Sequence, residues 1–436
     1  MSRVDKVEDM CSKMDARSIS LMVARQHDAA ESPISFLSPE SREQLGNRLS
    51  TIQIGYCALA KTVLAERLKL QGFSRENEPL GRVWRAWTDA GMDRGLALAL
   101  DESLTVGQSF LLVWAGPDGS PTVSVESPSE VSVTRDPLSG QITAAVKRWV
   151  SDGRAHVILM EPETITTFSN PVDVPAGGVL PSTGWSQAGS IHNPLGQVPL
   201  VDLTLGAGLF DTDGTPVARP IWSLVAALHK TTFDQLVSSE SVSMPRRYAT
   251  GIQLQQDPDT GEMLPPFSTE PGSMLLAESA DAKFGTLSEG SLDSYASLTN
   301  YLIRQIGATA AISDARLGIE VTDPSSAEQL RASEQATVSR VYAIMTLFGP
   351  ALARAASLVE AVLSGGPVKS GISPEWASPE SVSYAQTADA TAKLYGAGLI
   401  PWETAMEKLG YRPDEIHHMR RARMRQAIEM PEVPNV

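Results

Sequence analysis

Two repeat lengths divide the chain. Up to about residue 106, apolar positions recur at spacings of three and four, which predicts helices. SPESREQLGNRL opens one of them, with Ser38 as N-cap, Pro39 at the first helical position and Glu40 in the first turn. From Ile52 to Leu70, the residues Ile52, Tyr56, Leu59, Val63 and Leu70 fall near one face, and Trp84 and Trp87 are expected as core anchors of the next helix. From Ser109 the period changes to two. Strand-like runs are punctuated by Asp118-Gly119, by Asp136 to Gly140 and by Asp152-Gly153, turn residues that accept positive φ. The expectation is an antiparallel β unit over 109–203, with looser Gly/Pro-rich connections between 171 and 199.

Helical spacing returns at 217–243, where Ile221, Val225, Leu228 and Leu236 make a stripe and His229, Lys230 and Asp234 lie largely off it. A second helix, 291–311, repeats the pattern with Tyr295, Leu298, Leu302, Ile306 and Ala310. Between them lies a β excursion that begins SVSMPRRYATGIQLQQDPDTGEMLPPF, so an antiparallel helical pair carries a β element at its tip. Residues 325–364 form a sustained seam of Val341, Met345, Phe348, Leu352, Ala355, Val359 and Val362, read as one long helix bent near Gly349-Pro350 and ended by Ser364-Gly365-Gly366-Pro367. A short strand or loop and three helices follow, the last finishing in HHMRRARMRQ.

The size of 436 residues implies two to four domains, and 42% hydrophobic with 20% charged residues is the makeup of a folded chain. A net charge of −15 argues against a protein that coats nucleic acid. Cys11 and Cys57 are the two cysteines, expected as buried apolar groups in a reducing compartment and not as nucleophiles or a disulfide framework. The charged N-terminus does not read as a signal peptide, and no stretch is expected to reach the roughly 18 apolar residues that span a bilayer.

Candidate chemistry is sparse. Gly206-Ala207-Gly208 lacks the third glycine of a dinucleotide loop, and Ser186 in GWSQAG has the wrong spacing for a nucleophile elbow. Asp257, Asp259 and Glu262 in DPDTGE are better explained by a tight turn than by a calcium loop. The adjacent His417 and His418 point to different sides of a helix, and Arg420, Arg421, Arg423 and Arg425 suit a helix C-terminal turn. No cofactor, metal or catalytic residue is expected; an enzyme would have to assemble its site from distant residues such as Asp101, Glu102 and His156.

The order of these elements, with LAERLKLQGF, VESPSEVSVTRDPLSGQITAAVKRW, PRRYATGIQLQQDPDTGEMLPPF, AKFGTLSEGSLDSY and KLGYRPDEI, resembles the portal proteins of long-tailed double-stranded DNA bacteriophages, particularly those of actinobacteria. The resemblance implies an α+β portal fold: wing at 1–216 (helical 1–106, β unit 109–203), stem helices at 217–243 and 291–311, clip at 244–290, tunnel loop at 312–324, kinked wing helix at 325–364 and crown-like helices at 365–436. It implies a homo-oligomeric ring, usually of twelve subunits, at one capsid vertex of the virion, assembled in the host cytoplasm, without a membrane. The implied partners are the terminase large subunit, a head–tail adaptor, the major capsid and scaffolding proteins, and the duplex DNA that is packaged and ejected through the channel. Lys230, Arg304 and Arg316 are candidates to face that DNA, each with an intersubunit salt bridge as the alternative. Arg246 and Arg247, on opposite faces of a strand, are candidates for docking at the clip, and Gly349 and Pro350 for the bend. In a ring, neighbouring excursions could close one another's open edges. A phage head protein without a channel is the rival reading.

Overall fold

The computed structural model describes residues 2–32, 52–175, 178–206, 208, 213–243, 247–251, 281–286, 292–319, 327–380, 384–411 and 413–429. The chain forms two compact units, Met1–Ala377 and Ser378–Val436. The expected helix in SPESREQLGNRL lies outside the described residues, as does DPDTGE.

Helix α1 (Arg3–Asp28) opens on a capping box in which the Asp5 N–H donates to Ser2 Oγ at 3.1 Å and the Ser2 N–H donates to Asp5 Oδ2 at 2.9 Å. Its apolar face, Val7, Met10, Cys11 and Met14, is fully buried. Helix α2 covers only Tyr56–Ala65 and buries Cys57, Ala60, Val63 and Leu64, so its core face is rotated from the expected Tyr56/Leu59 stripe. The expectation of helices alone before residue 106 is corrected. Strands β1 (Leu70–Arg75) and β2 (Glu78–Pro79) form a hairpin whose two turn residues, Glu76 and Asn77, both have positive φ. The outer edge of β1 pairs with residues 372–376, a partner too distant for local periodicity to reveal. Helices α3 (Gly81–Asp89) and α4 (Met92–Val106) follow, and Trp84 and Trp87 of α3 both stand edge-on to Phe73, with centroids 5.9 and 5.2 Å away.

The β unit resolves into two sheets. Strands β3 (Gln108–Ala115) and β4 (Pro121–Glu126) belong to one, in the order β10-β3-β4 once β10 (Leu200–Thr204) is added. The other is a five-stranded antiparallel meander of β5 (Val131–Arg135), β6 (Ile142–Ser151), β7 (Arg154–Met160), β8 (Thr164–Asp173) and β9 (Ser186–His192). β9 falls where a loose connection was expected. The Asp-Gly turns are where the sequence places them: Gly119, Gly140, Asp152 and Gly153 all have positive φ. One face of the meander (Ala144, Val146, Val157, Leu159, Phe168) packs on α1, and the other (Ala145, Met160, Ile165) on Phe110 and Leu200 of the smaller sheet.

After a 3-10 turn at Arg219–Ile221 comes α5 (Trp222–Ser243). It is followed by the paired strands β11 (Arg247–Thr250) and β12 (Lys283–Thr286), then by α6 (Asp293–Ala310). Helix α7 (Ala327–Ser364) runs unbroken through Pro350, and β13 (Ile372–Trp376) closes the first unit on β1. The α7 seam of Val341, Phe348, Leu352, Ala355 and Val359 is solvent-free. By length and composition Glu334–Ser364 is apolar enough to cross a membrane, which the sequence reading did not anticipate; half of its apolar window is buried within the protein, as in a core helix. The second unit holds α8 (Tyr384–Gly396), α9 (Trp402–Lys408) and α10 (Pro413–Glu429), with the Arg423 guanidinium 5.6 Å from the Trp402 ring centroid and Arg420 3.6 Å from Glu403.

Because Phe348 is fully enclosed by this seam, Phe348→Ala is expected to remove about 3–5 kcal/mol of stability. A fall in the chemical denaturation midpoint checks it, and an unchanged midpoint contradicts the seam as the core.

Candidate functional site

The inner ends of α5 and α6, the turn at 312–319 and the middle of α7 meet at one joint. A helix ends with backbone carbonyls that have no intrahelical partner, and α6 ends inside the protein, at buried Ala310. Ala311 turns the chain with φ 57, in the left-handed region that a Cβ disfavours. Two side chains from α7 satisfy the orphaned carbonyls. Arg340 donates from Nη1 to the Ala310 oxygen at 3.0 Å, and the Thr337 hydroxyl donates to the Ala311 oxygen. The other end of the same guanidinium donates to the Val217 oxygen at 3.2 Å, at the entry to α5. Burial pushes the Arg340 pKa down, but an arginine stays protonated, so its charge sits at the negative end of the α6 dipole. One residue thus ties the strand-to-helix entry of the pair to its exit.

Gly307 completes the joint. A Cβ there would stand 2.3 Å from Leu317 Cδ1 and 3.2 Å from the Ile312 oxygen, so a larger residue would have to push the Leu317 side chain out of its place on α6. Ile312, Ser313 and Leu317 are buried as a result. The first part of the expected tunnel loop is therefore a packed turn, while 320–326 lies outside the described residues.

Away from the joint the pair is uncovered. The stripes are buried at Val225, Leu228, Leu302 and Ile306, but Leu236 is 51%, Leu298 45% and Tyr301 58% exposed. Ser238 and Tyr295 meet at 3.4 Å between the two helices. At the tip, β11 and β12 pair with each other and, among the described residues, with no other strand, in the register Arg247↔Thr286 to Thr250↔Lys283, and Tyr248 and Phe284 are exposed. A two-stranded ribbon of this length is marginal by itself in water.

The cations singled out by the sequence are not gathered. Lys230 is paired within its own helix to Asp234, and Arg316 to Glu66 at 2.5 Å. Arg304 is exposed on α6 and has no ion pair among the described residues. Arg247 lies in β11, Arg246 outside the described residues, and Gly349 and Pro350 within α7. Asp101 binds Lys61 at 2.9 Å, Glu102 binds Arg25 at 2.6 Å, and His156 stacks on Trp149, so these three serve separate contacts. Burial pushes the thiols of Cys11 and Cys57 up to about 12, which keeps both protonated and unreactive near neutral pH. Among the described residues, no group of three or more His, Cys, Asp or Glu could hold a metal ion.

Sequence reasoning missed Arg340, Thr337 and His229. His229 is 2% exposed although it was placed off the α5 stripe, because residues 52–55 cover that side and the Ile54 N–H donates to its Nε2 at 3.0 Å. Nothing local marks Arg340 apart from a solvated arginine beside an apolar seam.

Comparison with known proteins places these features in a family. The family described as phage portal protein, SPP1 Gp6-like, matches residues 60–427. The portal protein of Mycobacterium phage L5 is 26% identical over 437 residues, covering 95% of this chain and 87% of its own. That of Mycobacterium phage D29 is 27% identical over 388 residues, covering 84% and 78%. A chain of the virion of a native gene transfer agent particle is similar at 14% identity with a TM-score of 0.48, over 91% of this chain and 99% of that one.

Arg340→Ala, which orphans the Val217 and Ala310 carbonyls, is expected to cost roughly 1–3 kcal/mol and to raise amide exchange most at 306–312. Thr337→Val should cost less, about 0.5–1.5 kcal/mol. Equal exchange in Arg340→Ala and the wild type would contradict the clasp.

Proposed function

Because the chain belongs to the SPP1 Gp6-like family of phage portal proteins, we propose that it assembles into a closed dodecameric ring at one vertex of a phage head and forms the channel for packaging and ejecting duplex DNA. The observation that carries this reading is the uncovered outer half of the helical pair, where Leu236, Leu298 and Tyr301 are solvated in the single chain. Apolar stripes are stabilised by leaving water, at about 25 cal/mol per Å². In a ring every copy offers the same face and receives its neighbour's, so the patch is covered with no copy left over.

The rest of the reading is what membership of the portal family implies for these elements. The pair α5/α6 is the stem, with β11/β12 as the clip at its tip, where ribbons of neighbouring subunits would abut and where one of Arg246 and Arg247 would meet a neighbouring subunit or the docked terminase large subunit and later the head–tail adaptor, and the other solvent or DNA. Of the three cations considered for the channel, Lys230 and Arg316 are already compensated within the chain, which leaves Arg304 as the one suited to a phosphate. A net charge of −15 suits a tunnel in which DNA must slide, since each phosphate contact adds a counterion-linked grip. The wing and crown would contact the major capsid and scaffolding proteins. The protein works in the virion by shape and not by catalysis, after assembly in the host cytoplasm.

Two experiments test this. Electron microscopy of the purified protein should show rings with an axial pore, and Leu298→Glu with Tyr301→Glu should abolish them while circular dichroism is unchanged. A wild-type monomer at micromolar concentration under every salt condition would refute the proposal. Within α7, Pro350 removes one backbone hydrogen bond, so Pro350→Ala should leave ring assembly intact or strengthen the subunit, yet slow DNA packaging by altering the bend that aims the 312–324 loop. Packaging at the wild-type rate would make the bend incidental.

A further inference from the structure

We propose that His27, Trp222 and His229 form a proton-operated latch that fastens α1 and residues 52–55 to the base of α5. The His27 ring lies flat on Trp222, with centroids 4.3 Å apart and planes 8° from parallel. One and a half to two turns along α5 from Trp222, buried His229 accepts the Ile54 N–H on Nε2. Two segments that precede the β unit are therefore held to the helix that follows it, and both links use imidazole.

The His229 link requires a neutral ring, and at His27 burial opposes a charge that the Trp222 face would otherwise attract. The His229 Nε2 can accept only while it carries a lone pair, and protonation would turn that acceptor into a donor facing another donor. The Nδ1 atoms of His27 and His229 are both buried and have no hydrogen-bond partner among the described residues. A proton added to either ring thus brings a charge into a place with no acceptor for it. Burial first, and then the proximity of His229, hold the His27 pKa below its usual 6.5, while burial alone lowers that of His229.

The surrounding charges do not offset this. On α1, Arg25 is bound to Glu102 of α4 at 2.6 Å, and Asp28 to Lys61 of α2 at 2.7 Å. Lys61 also takes Asp101 of α4 at 2.9 Å. On α5, Lys230 and Asp234 bind each other. Tyr56 and Cys57 of α2 have raised pKa values and are neutral. From the other side of α5, Arg304 of α6 is exposed, and Arg219 precedes the helix; neither could neutralise an imidazolium. Residues 52–55, Ile-Gln-Ile-Gly, bring no titratable group. Among the described residues, Asp28, Asp101, Glu102 and Asp234 are each bound to a cation, and Glu31, just past the end of α1, is exposed.

The sign follows from linkage. Groups whose pKa is lower in the folded state contribute stability that is fully present above the unfolded value near 6.5 and is lost as pH falls below it. Mild acid should therefore release α5 from α1 before the carboxylates titrate, and leave the α7 seam intact.

Hydrogen exchange of the full-length protein, read by mass spectrometry at about pH 7.5 and about pH 5.5 with intrinsic rates corrected, tests the latch. In the wild type, protection over 52–58 and 222–234 should fall about tenfold or more at the lower pH, while 341–359 is unchanged. His27→Phe with His229→Gln keeps the stack and the acceptor but cannot titrate, so its protection should not depend on pH in this range. A flat wild-type response, or an equal fall in the double variant, overturns the latch. If the double variant does not fold, His27→Phe alone decides, since it removes one of the two charges: a smaller fall supports the latch and an unchanged one overturns it. The readout is local to the subunit, so it stands apart from whether rings form.

Discussion

The buried seam of α7 is the contact around which the β1–β2 hairpin, the smaller sheet and the helical pair are assembled, and the five-stranded meander joins them through the smaller sheet. Val341, Phe348, Leu352, Ala355 and Val359 share one core with Phe73 and Trp87, with Leu111 and Leu203 of the smaller sheet, and with Val225, Leu302 and Ile306 of the helical pair. A helix of 38 residues gains little from propensity alone and depends on this packing. The seam in turn decides where the polar residues of the same helix lie. Thr337 and Arg340 stand beside it, which is how they come to face the carbonyls at the end of α6.

The helical pair shows two regimes of the same sequence pattern. Near the joint its apolar stripes are sealed by α7 and by the 312–319 turn, and its polar ends are met by arginine and threonine. Towards β11 and β12 the apolar stripe is left exposed among the described residues. The change from one regime to the other happens along single helices, between Leu228 and Leu236 on α5 and between Leu302 and Leu298 on α6. An internal joint and an external contact surface are thus built from one periodicity, and burial alone tells them apart.

That is also why part of the molecule could be read from its sequence. The α7 seam was legible because alternating spacings of three and four over so many residues have one good explanation, and the Asp-Gly turns because glycine takes positive φ without a steric cost. The ordered set of stretches pointed to the right family although none carries chemistry. What could not be read was set by partners far along the chain. The α2 face depends on neighbours that rotate its core side to Cys57 and Ala60, and β9 on a strand that precedes it by a long Gly/Pro-rich segment. His229 is buried by residues 52–55 and not by its own helix. The cations at 230 and 316 carried no mark of the Asp234 and Glu66 that neutralise them.

The pairing of β1 with β13 has a consequence for how the chain is made. Its first strand ends at residue 75 and its last begins at residue 372, so 372 − 75 − 1 = 296 residues must emerge between them. At ~5–20 residues per second, a ribosome needs roughly 15–60 s to deliver the partner. During that interval the outer edge of β1 is open, with only the short β2 on its other side, and an open edge is a template for pairing with another chain. Long-range closure of this kind is slow even once the residues exist. The nascent subunit is therefore open to misassembly with its own siblings at β1 until β13, just before the first residue of the second unit, arrives to seal the first.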